Sequence, residues 1–326
     1  MTTNTFDVAI VGGGAAGLSA ATTLARSLRS VVVLDAGKPR NAPAAGAHNV
    51  LGHEGISPLE LLAKGRAEAA GYGARIRPGE VVNARRDDDG LFVIELDDGD
   101  TVNARRLLLA SGLVDELPDV PGVSELWGST VLHCPYCHGW EVRGQRIGVL
   151  GTGAMSAHQA MLFAQLSDDV TLFTNTMPTP EDEEIERLSA LGVAVVDGVV
   201  ERLDVVDGAL GAVVLSDGRA IERDALVVAP RFVVRSEIYT GLGGTLADHP
   251  MGGTFIPTGQ MGATDVPGVW AAGNCADLAA TVSVSMGAGT NAGAAINMDL
   301  ILDDARRAVS RENRRAPHAT TTSPAG

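Results

Sequence analysis

The residues in this sequence best suited to chemistry are two cysteines flanked by histidines, His133-Cys134-Pro135-Tyr136-Cys137-His138. Three chemistries use such a pair. Cys-x-x-Cys closes a small redox disulfide ring, and a neighbouring histidine or helix N-terminus lowers one thiol pKa toward neutrality. The same spacing contributes to zinc sites, but those draw ligands from two separated pairs, and no second Cys/His pair is visible here. Followed by histidine it is also the attachment motif for c-type haem, whose chemistry follows export. The opening Met-Thr-Thr-Asn-Thr-Phe-Asp has neither the basic stretch nor the apolar run of a signal peptide. The redox reading is preferred. His133 and His138 are both candidate bases for a thiol, each with the ordinary alternative of a hydrogen-bonded neighbour. Tyr136 and Trp140 line an apolar substrate wall or fill core. Cys275, alone beside Gly273-Asn274, reads as a buried structural thiol.

The elements that must position this pair are two strand–turn–helix–strand units. Phe6–Val11 leads into Gly12-x-Gly14-x-x-Gly17, a helical stretch from Leu18 to Leu28, and the strand Val31–Asp35. In such a turn the first glycine makes the bend, the second admits a pyrophosphate, and the third lets helix pack on strand. The helix N-terminus at Ala15 and Ala16 then aims free N–H groups at the phosphates. Asp35 ends the second strand, 18 residues beyond Gly17, placed for ribose hydroxyls.

A second copy starts at Arg146 and carries Gly151-Thr-Gly153-Ala-Met-Ser156. It keeps the turn but puts serine at the third glycine. Its next strand ends in Thr174-Asn175-Thr176, with no carboxylate for a ribose and no arginine for a 2′-phosphate. The acidic run Glu181–Glu184 follows. A scaffold domain that binds no NAD(P)H tightly is the favoured reading, and surviving nicotinamide binding is the alternative. Strand signals around Asp98-Gly99 and Asp217-Gly218 read as hairpins. A long helix is expected from about Ser285 to Asp304.

The 326 residues, 45% hydrophobic and 20% charged, suit a globular chain of about two domains. A net charge of −15 excludes a sequence-independent grip on nucleic acid. No apolar run approaches the ~18–20 residues of a membrane span. With three cysteines and no export signal, the chain is expected to be cytoplasmic.

Taken together, Gly12–Gly17, Asp35, His48-Asn49-Val50-Leu51-Gly52, Ala110-Ser111-Gly112, the Cys134/Cys137 pair and Ala271-Ala272-Gly273-Asn274 resemble the low-molecular-weight thioredoxin reductases. The likeness runs from about Phe6 to Asp304. It departs from them at His138, where they carry an aspartate; at Thr174-Asn175-Thr176, where they carry a 2′-phosphate-binding His-Arg-Arg; and at Asn274, where aspartate is usual. Those departures resemble the FAD-dependent dithiol oxidases of natural-product pathways, of the gliotoxin and holomycin type.

The resemblance implies an α/β fold of two Rossmann-like, three-layer ββα nucleotide-binding domains. The FAD domain takes 1–116 and 246–310, a domain of NAD(P)-binding type takes 117–245, and 311–326 forms a flexible tail. Implied FAD contacts are Gly12, Gly14, Ala15, Ala16, Gly17, Asp35, Ala36, Arg40, His48, Asn49, Val82, Ala110, Ser111, Gly112, Gly273, Asn274, Ser283 and Val284. The implied catalytic set is Cys134, Cys137, His133 and His138, with no metal. A small-molecule dithiol is the implied substrate, attacked at Cys134; O2 is the acceptor, giving H2O2, and a homodimer the implied assembly. The rivals are an NADPH-dependent disulfide reductase and a flavin-bound redox sensor.

Overall fold

The computed structural model describes residues 5–250 and 252–315. Val31 to Leu34 are buried without a break. A strand this apolar is covered on both faces, the situation of a central parallel strand. It pairs parallel with Thr5–Val11, which pairs parallel with Thr101–Leu109. Arg75–Pro78 adds outside Val31–Asp35, and Val269–Ala271 returns from late in the chain to pair with Leu107–Leu109. Antiparallel Phe92–Leu96 and Val81–Arg86 complete a seven-stranded mixed sheet. The hairpin expected at Asp98-Gly99 joins Phe92–Leu96 to Thr101–Leu109.

Helix Ala15–Arg26 crosses one face of this sheet, with helix Val282–Arg315 packed against it. Glycine permits the close approach. A Cβ on Gly289 would lie 2.0 Å from the Ala16 carbonyl oxygen, and one on Gly293 3.1 Å from that of Ala20. The late helix is longer at both ends than the expected 285–304. It takes 311–315 from the expected tail, because no glycine or proline interrupts the chain between Asp299 and Arg315. Asp303 adds an ion pair to Arg307 one turn on, while Arg105 binds Asp303 and Asp304 from the sheet. The rest of the expected tail, 316–326, lies outside the described residues.

The second sheet has five parallel strands, with the buried Ile147–Leu150 and Val170–Phe173 flanked by Ala194–Val196, Ala225–Val227 and Val131–Leu132. A three-stranded antiparallel sheet, including the expected Asp217-Gly218 hairpin, packs beside it. Between the two regions the chain passes outward as Leu113–Glu116 and back as Arg231–Val234. These segments pair antiparallel, with Asp115 opposite Phe232. No helix among the described residues is long and apolar enough to cross a membrane.

Candidate functional site

One cavity of about 1830 Å³ runs from the first glycine turn, past the paired crossing segments, to the cysteine pair and on to the second glycine turn. The first turn is built of close contacts. Gly12 sits at φ +107°, and a Cβ there would meet the Ala110 carbonyl oxygen at 2.3 Å. A Cβ on Gly17 would reach Gly12's oxygen at 1.9 Å, so strand and helix touch at backbone distance. Gly14 has nothing within 4 Å of its Cβ position and lines the cavity, as do Ala15 and Ala16. No side chain caps the N-terminus of helix Ala15–Arg26. An uncapped helix end opening on a cavity, with Asp35 at its side, fits a dinucleotide diphosphate and ribose.

Most residues expected at FAD line this cavity: Ala36, Arg40, His48, Asn49, Ala110, Ser111, Gly112, Gly273 and Asn274. Three expectations shift by a residue or two. Val82 points to solvent while Val81 lines the cavity, as strand alternation requires. At the start of the late helix, Thr281, Val282 and Ser285 face the cavity. Ser283 instead turns its hydroxyl to the Asn49 carbonyl, and Val284 is exposed. Asn274 spends its amide nitrogen on the carbonyls of Asp277, Leu278 and Ala280, so it shapes the loop and has only Oδ1 left for a ligand.

Arg40 is similarly committed. Its guanidinium grips the buried Asp115 carboxylate through two hydrogen bonds of 2.8 and 2.7 Å and lies 4.9 Å over the Phe232 ring. His48 is held by Glu54 at 2.7 Å, and its other nitrogen is 3.5 Å from Glu141. Asn49 donates to the Tyr136 carbonyl at 2.9 Å, tying the loop that bears it to the cysteine segment.

Cys134 caps the short helix Pro135–His138, and the N–H groups of Cys137 and His138 bond its carbonyl. Proline at the first helical position suits this turn, since no donor is lost there. Both cysteines are free thiols at the cavity wall. A hydrogen bond from Cys137 holds the Cys134 thiol down at about 7 against burial, helped by the N–H groups of Tyr136 and Cys137 and the charge of Arg40. Cys137, the donor of that bond and next to the Cys134 charge, is pushed up. Cys134 is therefore the thiolate of the reduced pair. Iodoacetamide should alkylate the reduced protein first at Cys134, with a midpoint near pH 7, and reach Cys137 more slowly. Peptide mass spectrometry across pH checks this; equal labelling of both would refute it.

His133 ends the strand Val131–Leu132. Its Nδ1–H donates to the Val228 carbonyl at 2.9 Å and its ring meets Phe232 edge-on at 5.5 Å. That bond selects the neutral tautomer with Nε2 as acceptor. Burial lowers its pKa, so the ring is neutral at pH 7. His138 is also lowered by burial, near His48 and Glu141, and has no hydrogen bond among the described residues to fix its ring. Tyr136 and Trp140 are both exposed, with Arg143 stacked 4.0 Å over Trp140, so neither fills core. Cys275 is fully buried against the carbonyls of Leu109 and Ala272, and burial raises its pKa.

The second glycine turn differs from the first in one decisive respect. Ser156 folds its hydroxyl back to accept the N–H groups of Thr152 at 3.1 Å and Gly153 at 3.3 Å. Two amides of the turn are thereby bonded within the chain, while Ala154 and Met155 stand where Ala15 and Ala16 face the phosphates in the first turn. Where a ribose-binding carboxylate would stand, Asn175 turns its side-chain oxygen to the Val200 N–H at 3.0 Å.

Sequence reasoning missed Asp115, Phe232, Val228 and Gln159, whose roles depend on neighbours far along the chain. A family model described as pyridine nucleotide-disulphide oxidoreductase matches residues 6–294. Thioredoxin reductase tcpT of Claviceps purpurea is 32% identical over 93% of this chain and 96% of its own length. Thioredoxin reductase aclD of Aspergillus oryzae is 31% identical over 92% and 98%. The crystal structure of HlmI superposes with a TM-score of 0.89 at 43% identity, covering 94% of this chain and 96% of HlmI.

Proposed function

Since the chain belongs to the pyridine nucleotide-disulphide oxidoreductase family, has its thioredoxin-reductase-like fold and is an oxidoreductase, we propose that it oxidises a small-molecule dithiol of natural-product biosynthesis to a cyclic disulfide, with O2 as final acceptor. Members of this family are FAD-binding flavoproteins. The FAD would be held by Gly12, Gly14, Ala15, Ala16 and Asp35, with Ala110–Gly112, Gly273 and Asn274 along the cavity. When bound, FAD supplies the two-electron acceptor that returns the Cys134–Cys137 dithiol to the disulfide and passes the electrons to O2, giving H2O2. The observation that carries this reading is the second glycine turn, where Ser156 bonds the Thr152 and Gly153 amides and Asn175, in place of a ribose-binding carboxylate, bonds the Val200 N–H.

The chain's residues then work as follows. His133 Nε2 takes the proton of one substrate thiol, and that thiolate attacks Cys134 of the Cys134–Cys137 disulfide. The S–S bond breaks and its electron pair goes to Cys137, which takes up one of the two protons that the substrate thiols give up. The second substrate thiolate attacks the substrate sulfur of the mixed disulfide, closing the cyclic product. Cys134 leaves with the electron pair, and its low pKa makes it a good leaving group. Over the exchange two substrate thiols become one disulfide, while Cys134 and Cys137 become thiolate and thiol, with one proton released. Exposed Tyr136, at the cavity wall between the two cysteines, offers flat apolar surface beside the sulfurs.

The names of the fungal relatives favour one other reading, an NADPH-dependent disulfide reductase. The experiment that separates them is turnover with a small dithiol in air, counting products. One H2O2 per disulfide formed is expected. Disulfide reduction driven by NADPH, with no peroxide from the dithiol, would return the protein to the reductases.

A further inference from the structure

Helix Ser156–Phe163 follows the second glycine turn, where its N-terminus would serve a bound nicotinamide nucleotide. One of its residues points elsewhere. Gln159 is a buried polar side chain whose amide nitrogen donates to the His133 carbonyl oxygen at 3.0 Å and lies 3.3 Å from His133 Nδ1. The carbonyl it holds belongs to the peptide bond that leads into Cys134. On the other side, Val228 accepts the ring's Nδ1–H, and the Val228 N–H bonds the Leu132 carbonyl at 2.8 Å. Phe232 closes a third side. His133 is thus held by main chain, ring nitrogen and ring edge, with Nε2 as the one nitrogen left for a ligand at the cavity wall.

We propose that Gln159 is a positioning residue: it fixes the His133 backbone, so that the ring bonded to Val228 keeps Nε2 toward the incoming thiol. The helix of the second nucleotide fold thereby serves the cysteine pair. The inference rests on the reading of His133 as the base. A buried amide is suited to this place, because it donates to a carbonyl without placing a charge beside the imidazole. The groups that act electrostatically on this ring are few. Arg40 and Asp115 are bonded to each other and oppose one another's influence, and the two cysteine sulfurs lie on the following turn.

The test uses FAD-loaded protein and dithiothreitol as the probe dithiol. Gln159→Leu keeps the volume and removes the donor; Gln159→Glu puts a carboxylate at the same place. Two readouts are taken: the rate of anaerobic bleaching of bound FAD against pH, and the His133 tautomer and line widths by nitrogen-15 NMR of histidine-labelled protein. Wild type should show the Nδ1–H tautomer. Gln159→Leu should keep it, since the Val228 carbonyl selects it, but broaden the His133 ring signals and slow bleaching about tenfold, with FAD content unchanged. Gln159→Glu should keep the ring ordered but favour its protonated form, moving the acid limb of the rate to higher pH; this variant decides the matter if Gln159→Leu fails to fold. Wild-type His133 line widths, rate and pH profile in the variants would overturn the proposal. If dithiothreitol bleaches no FAD in wild type, the oxidase reading falls, and the NMR signal alone still decides what Gln159 does.

Discussion

Replacing Cys134 by serine is expected to stop dithiol oxidation altogether, with a loss of about a thousandfold or more, as for removal of an essential nucleophilic centre. Cys137→Ser should be as inactive, but the two variants should fail differently. With Cys137 replaced, Cys134 keeps the N–H groups of residues 136 and 137 and the charge of Arg40, which favour its thiolate. Incubated with cystamine, a linear disulfide, it should form a mixed disulfide with release of one cysteamine and no tethered thiol to reverse it, visible as the added mass of one half of the probe. With Cys134 replaced, the remaining Cys137 lacks the helix N-terminal amides that support the Cys134 thiolate, and should be trapped far more slowly. Intact-protein mass spectrometry of both variants decides the assignment. Faster adduct formation in Cys134→Ser would exchange the two roles.

The second large effect is a missing one. Bound FAD should keep its colour in millimolar NADPH or NADH under nitrogen, while a dithiol bleaches it. The missing 2′-phosphate and ribose partners at Thr174-Asn175-Thr176, together with the Gly153 amide taken by Ser156, remove several hydrogen bonds, some of them to charge. At about 1.4 kcal/mol for each tenfold, losses of this kind sum to about a thousandfold in affinity. Stopped-flow absorbance with each nucleotide and with dithiothreitol gives the comparison. Bleaching by either nucleotide on the timescale of the dithiol would show that the second turn still works as a nicotinamide site.

What could be read in the sequence was what short-range spacing encodes. Gly12, Gly14 and Gly17 fix a turn whose backbone contacts admit no Cβ, so the residue types themselves state the geometry. Val31–Leu34 and Val170–Phe173 announce buried parallel strands by lacking alternation. Cys134 and Cys137 fall on one turn of chain. The rest depended on partners brought together by the fold. Arg40 meets Asp115 75 residues on, and Gln159 meets His133 26 residues back. No local pattern marks either pair. At Ser156 the replaced glycine was legible, but not that its hydroxyl folds back on the turn. Val82, Ser283 and Val284 were misplaced by one or two positions, a small step in sequence that turns a strand side chain to the other face and a helical one through a large angle.

The backbone contact of Gly289 and Gly293 with the first helix also sets an order of events at synthesis. The middle sheet uses strands between Val131 and Val227, so it can form as soon as that stretch has left the ribosome. The first sheet waits much longer. Its first glycine turn is made within the opening twenty residues, but the strand Val269–Ala271 and the helix that braces Ala16 and Ala20 are translated about 270 residues later. Contacts so far apart in sequence are slow to close. The nascent chain therefore carries an unfinished dinucleotide cradle through most of its synthesis, and the first part of the fold to be encoded is the last to be completed.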